Sequence, residues 1–201
     1  SFDAGFNPES RLLKNALGGG GILDVGCYCT SMARLVAGAA VGQDYADPIE
    51  AKSMGHVGET GVDEYASALL AFPGEIIAQV STGVRLNQEN SVRIFGTEGV
   101  IYVPSPWFCG QDANGVNIYV TRYGEPEPQK ISVEAYAGQY AMEADTVAAH
   151  IADGQAPTPA MSWGDTLGNM RTLDDWRLGF GMLYDVEKLD GNWPPIDNRP
   201  L

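Results

Sequence analysis

From about residue 46 to residue 134 the chain is a succession of short apolar or alternating runs broken by Gly, Pro and Asn, and no other feature limits its fold as tightly. Candidate strands fall at 48–56, 62–72, 75–84, 91–96, 99–103, 116–122 and 129–134. Phe72-Pro73-Gly74-Glu75 and Thr97-Glu98-Gly99 are tight turns between neighbouring runs. Strands joined so closely must be antiparallel, because a parallel crossover needs roughly a dozen residues or more. The loop 104–115, with two prolines, Trp107, Cys109 and Asn114-Gly115, is long enough to line a cleft or an interface.

Helices flank this region. Tyr140, Ala144, Val147 and Ile151 recur at helical spacing, and Gly154 ends the pattern. Ser162 followed by Asp165 resembles a capping box, after which Leu167, Met170, Leu173, Trp176, Phe180 and Leu183 form a core-facing stripe. The tail from Gly191, with three prolines, reads as irregular. Strands grouped between helices, without strand–helix alternation, indicate an α+β fold. The expected architecture is a large, predominantly antiparallel open sheet with helices packed on one face. Its other face needs solvent or a partner surface.

The N-terminal part holds the candidate chemistry. Residues 1–6 read as a short strand, and Pro8-Glu9-Ser10 as a turn into a brief helix through Leu13. Gly18-Gly19-Gly20-Gly21 forms a loop, and a helix is expected over Ile22–Ala37, with Gly38 as its C-cap. Asp24 and Tyr28 are four apart, so a helix places them on one face near its N-terminus. That end carries partial positive charge and unpaired N–H groups, which suits an ionised Asp and a proton-transferring Tyr. The glycines let a ligand or another backbone approach closely. The alternative is structural: Asp24 as a helix-start residue and Tyr28 as a half-buried core aromatic.

Composition excludes several classes. A formal net charge of −14 argues against nucleic acid and anionic membrane, which need clustered Lys and Arg. No apolar run approaches the roughly 20 residues of a membrane span. Neutral sugars remain possible ligands. His56 and His150 are the only histidines and lack metal-ligand spacing, so no metal site is expected. Cys27, Cys29 and Cys109 are poorly spaced for a disulfide and read as buried free thiols of a reducing, cytoplasmic protein.

Arg11, the run Gly18-Gly19-Gly20-Gly21-Ile22-Leu23-Asp24-Val25-Gly26-Cys27-Tyr28, then Gly61-Val62-Asp63-Glu64 and Ile94-Phe95-Gly96-Thr97-Glu98-Gly99-Val100-Ile101 together resemble the family of glucose–fructose oxidoreductase, inositol dehydrogenase and dihydrodiol dehydrogenase. The resemblance covers almost the whole chain, but only the C-terminal half of such an enzyme. It implies that residues 1–201 are a C-terminal substrate-binding and oligomerisation domain, the N-terminal dinucleotide-binding domain being absent from this chain. No Gly-x-Gly-x-x-Gly follows a strand, and the family's Glu-Lys-Pro motif, source of its catalytic lysine, is missing.

The resemblance further implies oxidation or reduction of a sugar, polyol or related diol with NAD or NADP, the cofactor being bound mainly by the missing domain. Tyr28 would be the acid/base and Asp24 its catalytic partner, with Arg11, Gly20 and Gly21 on the substrate side. A structural salt bridge is the alternative for Arg11. A phenol titrates near 10, so Tyr28 needs a nearby cation, which the family's lysine supplies. Asp63 and Glu64 are assigned a strand start and no chemistry. The chain alone is expected to be inactive, and family members associate through the open sheet, implying a homo-oligomer. The competing reading is a non-catalytic oligomerisation or sugar-binding module.

Overall fold

The structure, a computed structural model, describes residues 1–111 and 115–188. The predicted tail from Gly191 and part of the loop 104–115 lie outside the described residues. One compact unit holds Ser1–Asn87 and Leu167–Leu201, described as far as residue 188; Gln88–Thr166 form a second.

All seven expected strands form within two residues of their predicted limits: β1 (Glu50–Val57), β2 (Asp63–Phe72), β3 (Ile76–Gly83), β4 (Ser91–Phe95), β5 (Gly99–Pro104), β6 (Val116–Arg122) and β7 (Gln129–Val133). The class is α+β with antiparallel pairing throughout. The strands nevertheless form two sheets, β1-β2-β3 in the first unit and β4-β5-β6-β7 in the second, instead of the one large sheet expected. After Gly83 the chain turns to the N-terminal segment. The Phe2 N–H donates to Gly83 O (3.1 Å), the Ala4 N–H donates to Val84 O (2.9 Å), and Asp3 pairs with Arg85. The predicted strand at 1–6 is therefore only an isolated bridge.

In the first unit β2 sets the layering. Ala66, Ala68, Leu70 and Phe72 point inward, while Tyr65, Ser67 and Leu69 point out, the period of a half-buried strand. The inward side meets Ile22, Leu173 and Trp176 in the main core. Leu13, Val62, Val84, Met182 and Tyr184 form an adjoining cluster.

Ile22–Gly26 form a π-helical turn that leads into helix α1 (Cys27–Ala40), which packs against β3. The helix runs past the expected cap. Gly38 is buried inside it because a Cβ there would overlap the backbone of Tyr45. Its glycine serves close packing, not helix termination.

Helix α3 (Trp163–Leu178) begins as predicted, with the Asp165 N–H donating to Ser162 Oγ at 3.2 Å. The apolar stripe is only partly buried. Leu173 and Trp176 are core residues and Phe180 packs beside them, but Leu167, Met170 and Leu183 are exposed. Asn169, Thr172 and Arg177 are buried with them. Each has an internal partner: Thr30 Oγ1 and Asn169 Oδ1 are 2.7 Å apart, Thr172 donates to Gly168 O at 2.9 Å, and Arg177 pairs with Asp174 and Glu187. Hydrogen bonding thus offsets the desolvation of a polar face.

In the second unit, helix α2 (Gln139–His150) carries the predicted repeat, and Gly154 in the left-handed region ends the following short turn. Tyr140, Val147 and Ile151 are exposed.

Candidate active site

The glycine run is a buried strap tied down from three directions. The Gly19 N–H donates to Lys14 O (3.1 Å) and the Gly20 N–H to Leu12 O (2.8 Å), folding the strap onto the 3-10 turns before it. Tyr184 Oη donates to Gly19 O (2.8 Å) and Thr82 Oγ1 to Gly21 O (3.1 Å). The Ile22 N–H donates to Asp63 Oδ2 (2.7 Å). Gly20 has φ +112°, and a Cβ there would overlap Asp63 Oδ1. The close approach that the glycines permit is therefore made by Asp63, and at Gly21 also by the backbone of Gly83.

This platform opens the helix that carries Asp24 and Tyr28. Asp24 lies in the π turn and Tyr28 in the first turn of α1. Asp24 Oδ1 accepts from Arg11 Nη1 at 2.7 Å; the carboxylate is 15% exposed and the guanidinium 71%. Arg11 thus makes the salt bridge that the sequence offered as its alternative, and its exposed remainder stays accessible. Tyr28 is 53% exposed, so its ring is not a core aromatic. π turns are rare and concentrate at functional sites, where the widened turn re-aims side chains.

Lys14, Lys52 and Lys188 pair with Glu9, Glu50 and Asp185, and Lys130 lies in the second unit. Cys27 and Cys29 are half-buried, and burial pushes both thiols up. Cys109 is exposed, contrary to expectation. Among the described residues no three His, Cys, Asp or Glu side chains gather into a metal-holding group. No helix among them is long and apolar enough to cross a membrane.

Asp63 is the residue that sequence reasoning undervalued. It does start β2, but its side chain is wholly buried beneath the strap. Strand alternation would send it outward with Tyr65, Ser67 and Leu69. A register shift reverses this: His56 pairs with Tyr65, yet the next residue, Val57, pairs with Asp63. The extra residue, Glu64, is a β-bulge that re-aims Asp63 inward. Burial lifts its carboxyl from an ordinary 3.8 to about 7, against the pull of the Ile22, Asp63 and Gly21 N–H groups and of Arg177. Thr82 and Tyr184, the other anchors, carried no sequence signal.

The strap does not fit a dinucleotide's phosphates. The N–H groups of Gly19, Gly20 and Ile22 are already taken within the strap, and every strand pairing is antiparallel. A phosphate cradle needs unpaired N–H groups at a helix N-terminus after a strand.

Residues 1–102 match the GFO/IDH/MocA C-terminal domain. Over 174 residues, 87% of this chain and 51% of the relative, the chain is 28% identical to trans-1,2-dihydrobenzene-1,2-diol dehydrogenase of Xenopus laevis. It therefore spans about half the length of the curated relatives it matches. Among solved structures, the 3-ketoreductase KijD10 from Actinomadura kijaniata, crystallised with NADP and TDP-benzene, shares its fold with a TM-score of 0.71 at 20% identity, over 89% of this chain and 51% of that one. The aldose-aldose oxidoreductase from Caulobacter crescentus does so with a TM-score of 0.67 at 21% identity, over 89% and 50%.

Proposed function

Since the chain belongs to the GFO/IDH/MocA family through its C-terminal domain, we propose that it is the substrate-side half of a nicotinamide-dependent oxidoreductase acting on a sugar, polyol or related diol. The observation that carries this reading is the pairing of Asp24, held by Arg11, with an accessible Tyr28 at the opening of one helix. The dehydrogenase and oxidoreductase activities of the relatives and structural neighbours support it.

Tyr28 is the acid/base: its phenolate accepts the carbinol proton in oxidation, and its phenol returns a proton in reduction. Asp24 accepts a hydrogen bond from a substrate hydroxyl, and the ion pair with Arg11 keeps it oriented. Arg11, mostly exposed, has donors left for substrate oxygens. Gly20 and Gly21 shape the substrate-side floor through their close packing on Asp63. NAD or NADP supplies the hydride acceptor or donor and is held by an N-terminal domain, which also brings the cation that Tyr28 requires. This chain alone is accordingly inactive, and its free cysteines are in keeping with a reducing, cytoplasmic setting.

In the full-length enzyme Tyr28→Phe should lower kcat by roughly 100-fold or more on any sugar, polyol or diol that supports nicotinamide turnover. Near-normal kcat removes Tyr28 from the chemistry. The lack of nicotinamide-linked turnover across a panel of aldoses, polyols and trans-1,2-dihydrobenzene-1,2-diol overturns the oxidoreductase reading.

A second reading has its own observation. The outward face of β1–β3 exposes Met54 (80%), Ile77 (73%), Leu69 and Tyr65, an apolar surface suited to a second copy of the chain. A sheet-mediated homo-oligomer is compatible with catalysis, or constitutes the whole function of a sugar-binding or assembly module. Light scattering that finds only monomer at micromolar concentration counts against the oligomer.

A further inference from the structure

One buried ionisable group beneath the candidate site has no part in the chemistry above. Asp63 is completely buried. One oxygen, Oδ2, accepts the Ile22 N–H at 2.7 Å. The other, Oδ1, has no hydrogen-bond partner and lies against Gly20. A half-satisfied buried carboxyl is costly, most of all when ionised, so its retention calls for a reason.

Its position supplies one. Ile22 opens the π turn; Asp24 follows two residues on and Tyr28 one turn later. The Asp63–Ile22 bond is a direct link from β2 to the segment that aims both side chains. The surrounding charged and titratable groups are few. Arg177 of α3, itself paired with Asp174 and Glu187, is the cation acting on Asp63. Tyr184 follows α3, and burial, with Asp63 nearby, pushes its phenol up. Glu64, the adjacent residue of β2, is directed to Arg85 at 3.9 Å. The strap residues Gly19–Ile22, and Thr82 and Gly83 of β3, bring no titratable side chain.

We propose that Asp63 is a positioning residue for Asp24 and Tyr28, which sets through Ile22 where the π turn begins. In its neutral form the carboxyl is tolerated with one oxygen unpaired. On losing its proton, that oxygen draws a donor, and the backbone packed directly against it is that of the strap. Strap, π turn and first turn of α1 then shift together, carrying both side chains. The raised titration range of Asp63 places this event close to neutrality. The functional weight of the idea rests on the oxidoreductase reading, but its test needs no turnover.

The test is an NMR titration of the 201-residue chain from about pH 5 to about pH 9, a range that spans the Asp63 midpoint. It follows the Asp63 and Asp24 carboxyl carbons, the Ile22 amide and the Tyr28 ring. The Asp63 carboxyl, the Ile22 amide and the Tyr28 ring are expected to share one midpoint near 7, and Asp63→Asn to erase that step from Ile22 and Tyr28. An Asp63 ionised across the whole range overturns the proposal. So does a Tyr28 ring that ignores the Asp63 midpoint, or a Tyr28 step that survives in Asp63→Asn. Should Asp63→Asn not fold, the wild-type midpoints decide alone. If Tyr28→Phe keeps its turnover while Ile22 and Tyr28 still follow Asp63, the catalytic assignment falls and the positioning role stands.

Discussion

The buried carboxyl of Asp63 makes folding stability depend on pH in a direction opposite to that of most paired carboxylates. Its folded-state value, about 7, lies above the ordinary 3.8 that it recovers on unfolding. Below about pH 4 both states hold the proton and the contribution is fully present. As pH rises from about 4 to about 7, the unfolded chain ionises freely and the folded chain does not, so stability falls and then levels off. A displacement of that size corresponds to at most about 4 kcal/mol. Many other acidic groups titrate over the same range in a chain of net charge −14, so the wild type alone is ambiguous. The informative quantity is the difference between wild type and Asp63→Asn, which keeps the acceptor facing the Ile22 N–H and removes the charge. Urea unfolding of both proteins, at half-unit steps between about pH 4 and pH 8, measures it. Asp63→Asn should gain on wild type across this window by about 2–4 kcal/mol, allowing for relaxation around the ionised carboxylate. A difference that stays constant with pH, or narrows as pH rises, would falsify the assignment of a raised Asp63.

Three other outcomes are expected. Gly38→Ala should destabilise the chain by about 3 kcal/mol, although alanine is otherwise the better helix former by about 1 kcal/mol, because the new Cβ meets the backbone of Tyr45; a neutral or stabilising result in thermal unfolding would show that the Tyr45 segment yields. Arg11→Ala should change stability by less than about 1 kcal/mol, Arg11 being the exposed end of its pair with Asp24; denaturant midpoints check this. Calorimetric titration of NAD(H) or NADP(H) into the isolated chain should show negligible binding, and micromolar affinity would contradict the account of the strap's N–H groups.

The resemblance to the oxidoreductase family was visible in the Gly18–Tyr28 run and the Phe95–Gly99 hairpin, and the match of residues 1–102 bears it out. The helical start beneath Asp24 and Tyr28 was equally legible, since four-residue spacing after a glycine run is a local property. What lies under that start was not. Thr82, Tyr184 and Asp63 come from three distant stretches of chain, and each bonds to backbone atoms that every sequence possesses.

The sequence by itself determined the seven strands, their antiparallel sense, the Ser162 cap and the α+β class. All of these follow from side-chain period and turn chemistry among near neighbours. Tertiary structure alone decided where the strands part into two sheets, why α3 buries Asn169, Thr172 and Arg177 beside Leu173 and Trp176, and why Gly38 lies within a helix instead of ending it. It also turned Asp63 inward. The alternation of β2 points that residue toward solvent, and only the one-residue bulge opposite His56 and Val57 reverses it. A bulge is set by how two strands pair, so neither strand's own sequence reveals which face the residues beyond it will present.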